Sequence, residues 1–421
     1  MKPQPPHALS PYRVLDLTQM MGWTCGKVLA DLGADVIKIE PPGGDPGRRI
    51  GPFYRNEPHP EQSLGWFCGN TNKRGITLNW DASDGQALLR ALVRGADFLI
   101  ESCPPGFLAA RGIGFGQLSP LKPRLIWIAI TPFGQSGPYR DYRASDLIGM
   151  AMSGLMSVCG DADRPPVRIR APQAYVHAGL QAAVAALLAH HHRTHTGEGQ
   201  FVDVSMQEAL TWTIIPTRQY WDLSRFITGR AGPARWFGDQ LRRIIFPCRD
   251  GHIALMGVLN AREWGHMVEW LASEGMAEDL TDESWRILVE HAGPTPLTQA
   301  AVTDDELCHV DAVLTRFFLQ HGKAELATEA QRRGIILFPV HTPRDLLHHP
   351  QLRARDFFVP LEHDELGETL LYPGAPYRLS ETPWQLQRRA PRIGEHNGEI
   401  YGGELGLSQA ELAVYMAAGA I

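Results

Sequence analysis

The sequence predicts a doubly wound α/β fold for the larger part of the chain, with a smaller α+β domain behind it, and three patterns predict it. First, residues 12–17 are strand-like, 26–32 have helical spacing, and 35–40 alternate as a strand before a Pro-Pro-Gly-Gly turn. A strand that returns after so short a helix forms a parallel βαβ unit. Second, the apolar strand-like runs 97–100 and 125–130 each follow a helical segment, 84–94 and 105–117. Third, residues 179–192 are dominated by Ala, Leu and Val with few breakers, and a strand follows at 201–205. This reads as a long buried helix feeding the same sheet.

The remaining elements build the smaller domain. Residues 212–235, rich in Trp, Tyr, Arg and Gly, read as a crossing segment, and 244–256 as a hairpin turning at Asp250-Gly251. Helical segments follow at 262–275, 281–291, 304–319 and 323–333, then a short strand at 335–340. From Pro373 the tail is proline-rich, and it ends in a helix opened by Ser408 with Glu411 three residues on, a capping-box pattern. The expected division is 1–210 for the main part of the large domain and 211–240 for a linker. The small domain takes 241–345, and 346–421 is a linker and return to the large domain.

The 421 residues suffice for two or three domains. With 44% hydrophobic and 20% charged residues, disorder, collagen and coiled coil are excluded. A net charge of −6 offers no broad attraction to nucleic acid or an anionic membrane, so an anionic ligand needs a local basic site. Residues 1–10 carry three prolines and no apolar run, and the apolar stretch 178–189 is interrupted by Gln181 and too short for a membrane span. A soluble cytoplasmic protein is expected. Six scattered cysteines lack a CxxC pair and read as reduced thiols. His190, His191 and His192 point in different directions on a helix, so with His195 they do not make a metal site. There is no P-loop, and Gln117 stands where a third fingerprint glycine would follow Gly112 and Gly114, so NAD binding is not expected.

Several motifs, taken together and in order, resemble the family III CoA-transferases, which include formyl-CoA and carnitine CoA-transferases and α-methylacyl-CoA racemases. They are the stretches 14–17, 29–46, Asn70-Thr-Asn-Lys-Arg74 and its continuation to Leu78, 133–139, 193–205, 349–352 and 390–397. The resemblance implies a Rossmann-like large domain that binds CoA, a small domain, and two chains interlocked as a dimer. It implies CoA or acyl-CoA as substrate, with no permanently bound cofactor, and a carboxylic acid as the other reactant. Lys38, Lys73, Arg74 and Arg111 match family positions near CoA, whose phosphates call for cations. One departure is that Ser102-Cys-Pro-Pro-Gly106 stands where the family often has Asn-Phe-Arg-Pro-Gly, which removes an arginine and an amide.

The departure with the largest chemical consequence concerns the nucleophile. Family transferases attack the thioester with an aspartate four residues before a glycine at the start of the long helix. That glycine corresponds to Gly179, fixed by the step to Arg193, and the aspartate position holds Tyr175. A phenol with an ordinary pKa near 10 does not form an anhydride at neutral pH. The racemase aspartate and histidine correspond to Ala174 and Ser145, so that pair is absent as well. Asp146 and His177 are weak substitutes: Asp146 matches a supporting residue of the family, and a hydrogen-bonded structural role is the simpler reading of His177.

Two readings follow. In the first, the chain is the nucleophile-lacking subunit of a hetero-oligomer with a paralogous CoA-transferase, as in the aryl- and alkylsuccinate CoA-transferases, one of whose two subunits resembles this pattern. In the second, it is a homodimer that binds acyl-CoA or catalyses a racemase-like or isomerase reaction with a non-standard site.

Overall fold

Six strands frame the first of two units in the computed structural model, which describes residues 7–237, 240–256, 261–285 and 303–421. They are β1 (Arg13–Leu17), β2 (Asp35–Glu40), β3 (Arg74–Thr77), β4 (Phe98–Glu101), β5 (Ile126–Thr131) and β6 (Phe201–Ser205), paired in the order β3-β2-β1-β4-β5-β6. Every pairing is parallel. The order reverses between β1 and β4, which makes their carboxyl ends the switch point where doubly wound sheets open a ligand crevice. The helices here are α1 (Trp23–Asp31), α2 (Leu64–Gly69), α3 (Ser83–Arg94), α4 (Phe115–Leu118), α5 (Asp146–Met152), α6 (Gln173–Thr196), α7 (Met206–Thr211) and α8 (Ile215–Ser224).

The period-2 alternation of each strand divides the core between two faces. Val14, Val36, Phe98, Ile126 and Ile128 pack on one side with residues of α1 and α6. Leu15, Ile37, Leu99 and Trp127 pack on the other with α3 and the carboxyl-terminal helix Gln409–Ala417. The Ser408–Glu411 capping box opens that helix as the sequence predicts. Edge strand β3 is covered by the returning tail, where His396 Nδ1 accepts the Gly75 N–H (3.0 Å) and Asn397 Oδ1 that of Thr77 (2.9 Å). The tail motif at 390–397 thus completes the sheet.

Small residues let α6 approach α1. Ala174, Ala178, Ala182, Ala186 and Ala189 are buried along it, and a Cβ on Gly179 would fall 2.8 Å from Thr24 Cβ and 3.1 Å from the Cys25 nitrogen. Gly179→Ala is therefore expected to lower stability by about 1–3 kcal/mol through overpacking, read from the urea midpoint. At the other end of α6 the buried Arg193 donates to the carbonyls of Asp97 and Arg124, both at 3.0 Å.

The first unit comprises the segment ending at Met156 with Arg168–Phe226 and Pro350–Ile421, and the second Ser157–Val167 with Ile227–His349. In the second, β9 (Ile245–Cys248), β10 (Gly251–Leu255) and β11 (Leu337–Pro339) form an antiparallel sheet, preceded by the ribbon β7 (Ala234–Phe237) and β8 (Gln240–Arg243). Its core gathers Phe246, Trp270, Phe317 and Phe318 from the sheet, from α9 (Ala261–Ser273) and from helix Asp304–Phe318.

One expected helix is corrected, two segments hold elements not foreseen, and a further expected helix is described only in part. Segment 105–117 is a 3-10 turn, Ala109–Arg111, followed by the short α4, because Gly106 and Gly112 adopt positive φ (79° and 68°) and break the helix. Crossing segment 212–235 contains α8 and leads into the β7–β8 ribbon. Return segment 346–421 contains a hairpin, β12 (Phe358–His363) with β13 (Glu368–Pro373), which joins Trp23 and Trp66 in a small cluster. The expected helix 281–291 lies in part outside the described residues.

Candidate active site

The crevice at the carboxyl ends of β1 and β4 is bridged directly: the Gln19 N–H, after β1, donates to Ser102 Oγ, after β4, at 2.8 Å. Its floor is a buried ionic cluster. Lys73 Nζ donates to Asp16 Oδ2 (2.8 Å), Asn70 Oδ1 (2.8 Å) and the Trp23 carbonyl (3.0 Å), which uses all three of its protons. Lys38 Nζ donates to the Thr18 carbonyl and lies 3.7 Å from Asp16 and 3.6 Å from Asp45. Burial opposes the charge on Asp16, yet the two ammonium groups outweigh it and hold the carboxyl below its usual range. Burial, the larger effect, pulls Lys73 down against the attraction of Asp16.

This geometry revises the sequence-based cation set. Lys38 and Lys73 are buried and brace the loops after β1 and β2 from beneath, their ammonium groups engaged by protein partners. Arg74 opens β3, at the amino end of the sheet and away from the crevice. There it binds Asp35 (2.6 Å), Glu399 (2.6 Å) and Glu404 (2.5 Å). A cavity of about 500 Å³ borders this opposite edge, lined by Asp31, Asp35, Asn72, Arg74 and Arg388 among others. Arg111 alone of the four keeps a partly exposed guanidinium, stacked 3.6 Å over the Phe107 ring and bonded to the exposed Asp81 (2.6 Å).

Sequence reasoning missed Glu101, at the end of β4 beside the crevice. Burial pushes its carboxyl up to about 7, although the Cys103 N–H (2.6 Å) favours the ionised form. A carboxyl raised in the folded state contributes stability below the unfolded value near 4.5, and this is lost as pH rises through about 7. Glu101→Gln should therefore remove roughly 3 kcal/mol of the stability decline between pH 4.5 and 8, measured by urea unfolding across that range. The signal in the sequence was a lone acid ending an otherwise apolar strand.

The amino end of α6 holds the remaining candidates. Asp146, first residue of α5, accepts the N–H groups of Ala174 (2.8 Å) and Tyr175 (3.4 Å) through Oδ1, while its buried Oδ2 has no partner. Burial raises its pKa against those donors and Arg168. Tyr175 is half-buried against the core, and burial pushes its phenol up, so it stays neutral at neutral pH. His177, also half-buried, stands two residues further on, roughly 200° around the helix. Asp146 thus caps α6, and the structure brings no second carboxylate of this set to Tyr175. His190 packs edge-on against Tyr12 at 4.4 Å, while His191 and His192 are exposed. Among the described residues there is no group of three potential metal ligands, and no helix is long and apolar enough to cross a membrane.

The sequence profile of CoA-transferase family III matches residues 9–397. The chain belongs to CoA-transferase family III. The relatives it resembles are CoA-transferases, which move CoA between a thioester and a carboxylic acid. Similar proteins include the succinyl-CoA:(R)-benzylsuccinate CoA-transferase subunit BbsE of Thauera aromatica, 39% identical over 93% of each chain. The succinyl-CoA–D-citramalate CoA-transferase of Chloroflexus aurantiacus is 32% identical over 98% of each chain. Among solved structures, a CAIB/BAIF family protein from Brucella suis superposes with a TM-score of 0.81 at 27% identity, covering 94% of this chain and 99% of its own.

Proposed function

We propose that this chain is the nucleophile-lacking subunit of a hetero-oligomeric CoA-transferase and works beside a family member that carries the aspartate. The observation that carries the reading is Tyr175, whose neutral, half-buried phenol occupies the nucleophile position. A carboxylate there attacks the thioester carbonyl, expels the CoA thiolate and forms an anhydride, which CoA reopens to give an enzyme-bound thioester. Tyr175 cannot take these steps, and Asp146 is committed to capping α6.

Two further features support a partner of the same family. The relative at 39% identity is itself named as a subunit. The outer face of α6 also exposes Val176, Leu180, Val184 and Leu188 at four-residue spacing, the last at 66%, on a helix whose other face is core. Such an apolar row is a surface that a second chain covers. The proposed donor is succinyl-CoA or another thioester of a dicarboxylic acid, since both relatives are named for succinyl-CoA, and the acids named with it, benzylsuccinate and citramalate, each carry two carboxyl groups.

The test is to express the chain alone and with a family member that has aspartate at the Tyr175 position, then assay CoA transfer from succinyl-CoA to a panel of carboxylates. Transfer by the pair alone is expected; full transfer by the lone chain would reject the subunit role. Arg111 is proposed to meet a CoA phosphate, so Arg111→Ala should weaken CoA binding about tenfold, measured by calorimetry.

A further inference from the structure

A dicarboxylic acyl group has one carboxyl in the thioester and a second that stays free. Buried without a partner, that free carboxylate would cost several kcal/mol, so a site built for such an acyl group must provide a cation for it. The amino end of α6 has the right charge and an unused group. Between Asp163 and Glu198 the sequence has no acidic residue, yet it carries Arg164, Arg168 and Arg170. The 24-residue α6 directs its positive end at this segment. Asp146 supplies the second observation: only 8% of it is exposed, and Oδ2 lacks any donor. Arg168 is exposed and forms no ion pair among the described residues, and its charge acts on Asp146.

We propose that Arg168 binds the free carboxylate of the acyl group, with the Asp146 carboxyl as the second acceptor for the same guanidinium. A planar guanidinium has five donors, enough to serve a ligand carboxylate bidentately and Asp146 Oδ2 together, which an ammonium does less well. Arg168 is thereby a specificity residue that favours thioesters of dicarboxylic acids over those of simple fatty acids. The inference rests on the CoA-binding reading given above and adds to it the residue that selects the acyl group.

The experiment titrates the full chain with succinyl-CoA, butyryl-CoA and free CoA in a calorimeter. Butyryl-CoA has the same four-carbon acyl chain without the carboxylate. The wild type should prefer succinyl-CoA over butyryl-CoA by tenfold or more. Arg168→Gln should erase the preference while leaving butyryl-CoA and CoA affinities unchanged, and Arg168→Lys should keep part of it. An undiminished preference in Arg168→Gln, or no preference in the wild type, overturns the assignment. Failure of all three ligands to bind removes the CoA reading and this inference with it, an outcome distinct from loss of preference alone.

Discussion

Asp16→Ala is expected to destabilise the first unit by about 3–5 kcal/mol, because it leaves the buried Lys73 without its carboxylate partner and Lys38 with Asp45 alone. Both ammonium groups are almost wholly out of solvent, and Lys73 has no second carboxylate at bonding distance among its described partners. Urea unfolding at pH 7 measures the loss. An exposed pair provides the contrast: Asp81→Ala removes a bond to Arg111 at a carboxylate 63% exposed, and should cost under about 1 kcal/mol. The pH dependence carries a sign. The carboxyl of Asp16 is held below its usual range in the fold, so its contribution is present above the unfolded pKa near 4 and is lost as pH falls through the folded value. Asp16→Asn should abolish that part of the acid transition.

The second large effect is on turnover in the reconstituted pair. Tyr175→Phe should leave kcat within about twofold, because a neutral phenol is not the attacking group and the ring, which packs on the core, is retained. Aspartate→Ala at the corresponding position of the other subunit should lower kcat by roughly 10⁴-fold or more, the scale of losing a covalent nucleophile. Steady-state assays with succinyl-CoA as donor measure both. A large loss in Tyr175→Phe with a small one in the other subunit would place the chemistry in this chain.

Periodicity made the parallel sheet legible, since β1, β2, β4, β5 and β6 are apolar runs whose alternating sides meet different helices. β3 was hidden in Arg-Gly-Ile-Thr, four residues with little strand character that pair because β2 lies alongside and the tail covers the edge. The β12–β13 hairpin was obscured by the prolines around it, although Asp364–Gly367 between two apolar runs was the turn signal. For the site, residue identity was visible but depth was not. Lys38 and Lys73 looked like phosphate ligands because a lysine is usually exposed, and only the placement of Asp16 on β1 shows that both point into the floor of the crevice. Arg74 was displaced for a simpler reason: it begins its strand, and the crevice lies at the strand ends. Tyr175 could be located from sequence alone, by its distance from Gly179 on one continuous helix.

The central claim is that the covalent intermediate forms on the other subunit, and trapping that intermediate tests it most directly. The two-chain enzyme is incubated with succinyl-CoA and no acceptor, the enzyme-bound thioester is reduced with borohydride, and peptides of both chains are mapped by mass spectrometry. The modified residue should be the aspartate of the other subunit, with every peptide of this chain unchanged. A reduced carboxylate at Asp146, or at any other residue of this chain, would contradict the account.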